Sequence, residues 1–109
     1  MQESPERDLE AFNLRRTGRS FGAISRDLGY DSAPAATHAF FRVLAGRERS
    51  EQEIVRDEEH GRLAALAEHV RADASLDDTT RDRRLAVLDR LHQRVNAACE
   101  GAGQTDAPT

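Results

Sequence analysis

The apolar residues of the first 46 positions recur every three or four residues, which predicts three short amphipathic helices. Each predicted helix follows a serine, a residue that accepts hydrogen bonds from the free N–H groups of a first turn. Each is followed by a glycine, which ends helices readily. The three helices cover about residues 5–17, 20–28 and 33–45, with Ser4, Ser20 and Ser32 as caps and Gly18, Gly29 and Gly46 as terminators.

Two longer helices are predicted after a short basic joint at residues 46–49. Ser50 followed by Glu53 has the form of a capping box and predicts a helix that runs to about Ala74. Asp77 and Asp78 fit the start of the last helix. Because the break between the two helices is short, we expect an antiparallel hairpin.

No alternating pattern typical of strands is present, so the predicted class is all-α. The domains expected are a three-helix head at residues 1–46 and a helical hairpin at 50–100. Residues 101–109 are rich in small and polar residues and are expected to form a disordered tail.

The apolar stripes of the hairpin are narrow, so its two helices bury little surface between themselves. The hairpin therefore needs a further surface, either the head or a second copy of the chain. We expect self-association, since such stripes resemble the seams of helical bundles. The alternative is a monomer whose hairpin packs on its own head. The expected oligomer interface consists of Val55, Leu63, Leu66, Val70, Leu85, Leu88, Leu91 and Val95.

Composition narrows the class of protein. No stretch approaches the ~20 consecutive apolar residues of a membrane span, and the acidic N-terminus does not resemble a signal peptide, so we expect a soluble, cytoplasmic protein without a membrane partner. Cys99 is the single cysteine, which excludes an internal disulfide and a zinc site built on cysteines.

Charge is distributed unevenly, although the whole chain carries a formal charge of −4. Residues 9–49 hold seven arginines against four acidic residues, whereas residues 50–109 hold eight against thirteen. The basic module indicates a nucleic-acid partner. The acidic half could bind a second protein.

Residues 14–30 read Leu-Arg-Arg-Thr-Gly-Arg-Ser-Phe-Gly-Ala-Ile-Ser-Arg-Asp-Leu-Gly-Tyr, and residues 35–44 read Ala-Ala-Thr-His-Ala-Phe-Phe-Arg-Val-Leu. Over about a third of the chain, this pattern resembles the helix-turn-helix of phage small terminase subunits and of small actinobacterial regulators. Ser25 and Phe40 depart from it, where the family has a small alanine and an aliphatic residue. The resemblance implies an oligomeric protein that binds double-stranded DNA, in phage DNA packaging or in transcriptional regulation.

The residues themselves support the same interpretation. A short helix, a glycine turn and a second helix with small residues at the crossing present the outer side of that second helix to a major groove. We expect this outer side to carry Ser32, Ala35, Thr37, His38, Phe41 and Arg42, which face bases or phosphates. The flanking arginines are expected to neutralise phosphates: Arg15, Arg16, Arg19, Arg47 and Arg49.

The alternative to DNA binding is an adaptor that uses the same head and hairpin to bind a host or partner protein without DNA. An enzyme is not expected, because no nucleophile, carboxylate pair or phosphate-binding loop is arranged for catalysis. His60, His69 and His92 lack the spacing of a helical metal pair, and no metal or cofactor is expected.

Overall fold

The computed structural model describes the backbone of residues 4–106 and the side chains of residues 4–100. Within that range it contains helices and turns and no strand, which confirms the all-α class. Residues 101–106 of the predicted tail are part of the last helix, and residues 107–109 lie outside the described residues. The helices are α1 (Pro5–Arg16), α2 (Phe21–Leu28), α3 (Ala33–Ala45), α4 (Arg49–Ala72) and α5 (Asp78–Asp106).

The serine caps of the first three helices form as predicted. The side-chain oxygens of Ser4, Ser20 and Ser32 accept hydrogen bonds of 3.1–3.3 Å from the N–H groups three residues further on. These bonds satisfy donors that a helix leaves without partners in its first turn. These capping bonds fix the residues at which α1, α2 and α3 begin.

The capping box predicted at Ser50 is wrong. The N-cap of α4 is Glu48, whose side chain makes no capping bond, and Ser50 lies inside the first turn. The side chain of Gln52 determines this joint, because its Nε2 donates to the carbonyl oxygens of Leu44 (3.1 Å) and Ala45 (3.3 Å). The start of α4 is thus fixed by the end of α3 rather than by a local cap.

The core is built around α3, which contacts each of the other four helices. On one side, Ala36 packs with Ala11 and Ile24 from α1 and α2. On the other side, the larger cluster joins the head to the hairpin. Its buried members are Phe12, Phe40, Phe41, Leu44, Val55, Val95 and Cys99.

Helices α4 and α5 lie against each other and run in opposite directions. Cys99 Sγ donates to the carbonyl of Gln52 at 3.7 Å, and the His60 and His92 rings lie 4.7 Å apart. Residues early in α4 therefore meet residues late in α5.

The expectation that the whole hairpin stripe is available to a second copy is wrong. Val55, Leu63 and Val95 are almost fully buried within the single chain, because the hairpin packs on its own head. Leu66 stays 47% exposed. The remaining members are half-buried, namely Val70, Leu85, Leu88 and Leu91.

A buried ion pair ties α1 to α4. Arg15 donates to both carboxylate oxygens of Glu59, with Nε to Oε2 at 2.9 Å and Nη2 to Oε1 at 3.0 Å. Arg62 donates to the same carboxylate at 2.8 Å. Glu59 is 1% exposed, so its charge depends on these two guanidinium groups.

Removing one partner of this pair should destabilise the fold strongly. We expect Glu59→Ala to lower the free energy of unfolding in urea by about 3–5 kcal/mol, because the buried Arg15 guanidinium loses its carboxylate. Arg15→Ala should lower it by less, because Arg62 still binds Glu59, but by more than about 1 kcal/mol. The matched control is Arg71→Ala, which breaks an exposed pair with Glu68 and should cost below about 1 kcal/mol. Equal losses in the three variants would contradict the structural role of the pair.

Candidate nucleic-acid interface

The turn between α2 and α3 fixes where α3 begins. Gly29 ends α2 with φ of 78°, a left-handed conformation that strains residues with a side chain. The N–H groups of Gly29 and Tyr30 both donate to the carbonyl of Ser25 at 3.0 Å. This pattern closes α2, and Ser32 caps α3 three residues later. The chain therefore passes from one helix to the next in a tight, defined turn.

One stripe of α3 stays open to solvent. Pro34, His38, Arg42 and Ala45 are exposed, and their spacing places them on one side of the helix. The exposed Ser32 and the half-buried Ala35 adjoin this stripe at the N-terminal end. Of the residues predicted to face DNA, Ser32, Ala35, His38 and Arg42 lie here.

The expectation that Thr37 and Phe41 are exposed is wrong. They are 7% and 8% exposed, because α5 packs against their side of α3. The Thr37 hydroxyl donates to the carbonyl of Ala33 at 2.9 Å. The Phe41 ring contacts Phe40 and lies 4.5 Å below the guanidinium of Arg94. Phe41 is thus a core residue of the joint between head and hairpin.

The arginines predicted to neutralise phosphates bind carboxylates of the chain itself. Arg15 is buried with Glu59, so the expectation that it lies at the surface is wrong. Arg16 donates to both oxygens of Glu58, at 2.9 and 3.0 Å. That hydrogen bonding holds the pKa of the Glu58 carboxyl below its ordinary value.

The other three flanking arginines are more accessible. Arg19 pairs with Asp27, and its side chain is 45% exposed. Arg47 lies 3.7 Å from Glu51 and above the ring of Phe12. Arg49, the first residue of α4, is exposed. Solvent also reaches Arg16, whose side chain is 31% exposed against 34% for Arg47, so Arg15 is the member of the predicted phosphate set that is buried.

A buried carboxylate holds Arg42 in place. Asp8 Oδ2 accepts a hydrogen bond of 2.9 Å from Arg42 Nη2, and Asp8 Oδ1 accepts one of 2.7 Å from the Tyr30 hydroxyl. Burial alone would raise the pKa of Asp8, yet the bonds from Arg42 and Tyr30 keep it below its ordinary value. The Arg42 guanidinium on the open stripe is therefore oriented by Asp8 of α1, which in turn is held by Tyr30 of the turn between α2 and α3.

Sequence reasoning missed two arginines of α5 that lie beside α3. Arg94 Nη2 is 3.2 Å from Nδ1 of His38, and Arg90 lies one turn earlier along α5. Self-association of the hairpin was the preferred prediction, and the alternative, a hairpin packed on its own head, did not identify the residues of α5 that lie against α3. The basic character beside the open stripe thus comes from a distant segment of the chain.

Within residues 4–100, no three His, Cys, Asp or Glu residues are arranged to hold a metal ion. None of the helices, as far as the structure describes them, combines the length and the apolar character needed to cross a membrane. Comparisons with protein-family models, with curated proteins and with solved structures found no match to this chain.

The Asp8 network can be tested through Tyr30, the single tyrosine of a chain without tryptophan. Burial and the bond to Asp8 raise the pKa of Tyr30 to about 12. Because the pKa of Tyr30 in the folded chain exceeds its ordinary value of 10.0, the protonated hydroxyl stabilises the folded state. This contribution to stability is complete below pH 10.0 and is lost as the pH rises towards 12.

We expect tyrosinate absorbance in the near ultraviolet to appear with a midpoint near 12, and Asp8→Asn to move this midpoint towards 10.0, since the carboxylate charge no longer opposes ionisation. Circular dichroism at each pH checks that the chain remains folded. Identical midpoints in the folded parent and the folded variant would show that Asp8 and Tyr30 are not coupled.

Proposed function

We propose that this protein binds double-stranded DNA and that α2, its turn and α3 act as a helix-turn-helix. The observation that carries the proposal is the open stripe of α3, which begins at the capped N-terminus directly after the Gly29 turn. In helix-turn-helix proteins the N-terminal residues of the second helix contact base edges in the major groove. The stripe offers the polar side chains that such contacts require.

The chemistry of the stripe suits base and phosphate contacts. Arg42 presents a planar guanidinium that matches the two acceptors of guanine, and its bond to Asp8 limits the rotamers it must lose on binding. His38 lies one turn nearer the N-terminus and can donate to a base or a phosphate. Ser32 lies at the N-terminus of α3, where the helix dipole favours a phosphate oxygen.

Specific contacts come from few residues, so the affinity per chain should be modest. Arg19, Arg47 and Arg49 supply the accessible positive charge near α3, whereas Arg15 and Arg16 bind carboxylates of α4 and stabilise the fold.

The resemblance of the sequence implies two biological settings, DNA packaging in a phage or transcriptional regulation. Both use the same contact surface.

Selection of bound duplexes from a random pool tests the proposal, followed by affinity measurements on the selected site. We expect His38→Ala and Arg42→Lys to weaken binding to that site by roughly 5–100-fold and to reduce discrimination against other sequences. Arg42→Lys keeps the charge beside Asp8 but loses the planar fork, so binding to unrelated DNA should change little.

Arg71→Ala is the matched control, since it removes one exposed arginine at the far end of α4. We expect this variant to bind the selected site as the parent does. A pool without enriched sequences, or an affinity that does not fall as salt concentration rises, would reject DNA binding and favour a protein partner.

A further inference from the structure

An apolar groove of about 630 Å³ runs between α3 and α5. Phe21, Thr37, Val87 and Leu91 contribute to its walls. Val87 is 41% exposed, which is unusual for a large aliphatic side chain flanked by other apolar groups. This groove lies on the side of α3 next to the open stripe and shares Pro34 with it.

The edge of the groove is positively charged. Arg90 and Arg94 line it together with Gln93, and none of its described lining residues carries a carboxylate. A suitable occupant therefore combines an apolar side chain for the floor with carboxylates for the two guanidinium groups. A purely apolar ligand would partly desolvate both guanidinium groups without supplying a carboxylate to either.

The outer side of α4 has these properties. Glu53, Asp57, Gly61 and Ala64 are all exposed and lie in one line at helical spacing. Ile54 adjoins them and is 54% exposed, more than any other large hydrophobic residue in the described part of the chain. A Cβ atom built on Gly61 would meet nothing within 4 Å, so this side is open to close approach by another helix.

We propose that this outer side of α4 docks into the α3–α5 groove of a second copy of the chain. Ile54 enters the groove against Val87 and Leu91, while Glu53 and Asp57 pair with Arg90 and Arg94. Because the α4 residues and the α3–α5 groove are two different surfaces of one chain, the contact runs head to tail. Such a contact adds copies successively until a ring closes or a filament grows.

Two variants that each damage one surface test the head-to-tail contact. Ile54→Asp removes the apolar group of the α4 surface, and Val87→Asp places a charge in the groove. Both positions are exposed in the single chain, so both variants should fold. In solution mass measurements without DNA, we expect the parent to form species of more than two chains, and each variant alone to associate at least roughly tenfold more weakly.

The decisive sample is the equimolar mixture of the two variants. Ile54→Asp keeps an intact groove and Val87→Asp keeps an intact α4 surface, so one good contact remains and the mixture should form a complex of two chains and no larger species. Leu9→Asp is the matched control, because Leu9 is as exposed as Val87 but lies on α1, outside both surfaces. This control should assemble like the parent.

A parent that stays a single chain at its highest soluble concentration would overturn the proposal. So would assembly by either variant alone that equals the parent, or a mixture that forms no pair. Because these measurements contain no DNA, their failure leaves the DNA-binding proposal standing, and a failed duplex selection leaves the assembly proposal standing.

Discussion

Helix α3 packs against the rest of the chain on two sides, and this constraint decides which residues remain available for function. Ala36 faces α1 and α2, while Phe41 and Leu44 face the hairpin. A helix of ordinary diameter that is covered in this way keeps only a narrow exposed stripe. The side chains that α3 can offer to DNA therefore come from that stripe, which contains His38 and Arg42.

The uneven charge of the sequence is largely used inside the molecule. Acidic residues of α4 form ion pairs with basic residues of α1: Glu59 pairs with Arg15, and Glu58 pairs with Arg16. The first of these pairs is buried and the second is partly exposed, so they differ in how much water and salt weaken them. A basic head and an acidic hairpin are thus complementary halves of one fold.

Features that depend on neighbouring residues were predictable from the sequence. The all-α class, the three serine caps and the glycine turn each follow from residues within one helical turn. Features that depend on distant contacts were not. The burial of Phe41 requires α5, and the start of α4 requires the bonds of Gln52 to the end of α3.

The candidate site shows the same division. Ser32, His38 and Arg42 are exposed and Ala35 is half-buried, whereas Thr37 lies one position around the helix and is covered. Their contact with DNA stays a prediction. Arg94 was missed because it is 56 residues from His38 in sequence, and no local pattern reports such a distance. The exposed side of a helix can be predicted only when all of its packing partners are known.

Arg94 connects the two surfaces that flank α3. Its guanidinium lies 3.2 Å from the His38 ring on the open stripe and also lines the α3–α5 groove. A carboxylate bound in the groove would compete with His38 for this guanidinium, and a phosphate near His38 would draw it the other way. The two proposed surfaces therefore share the Arg94 guanidinium, so a partner bound to one surface would change the charge presented by the other.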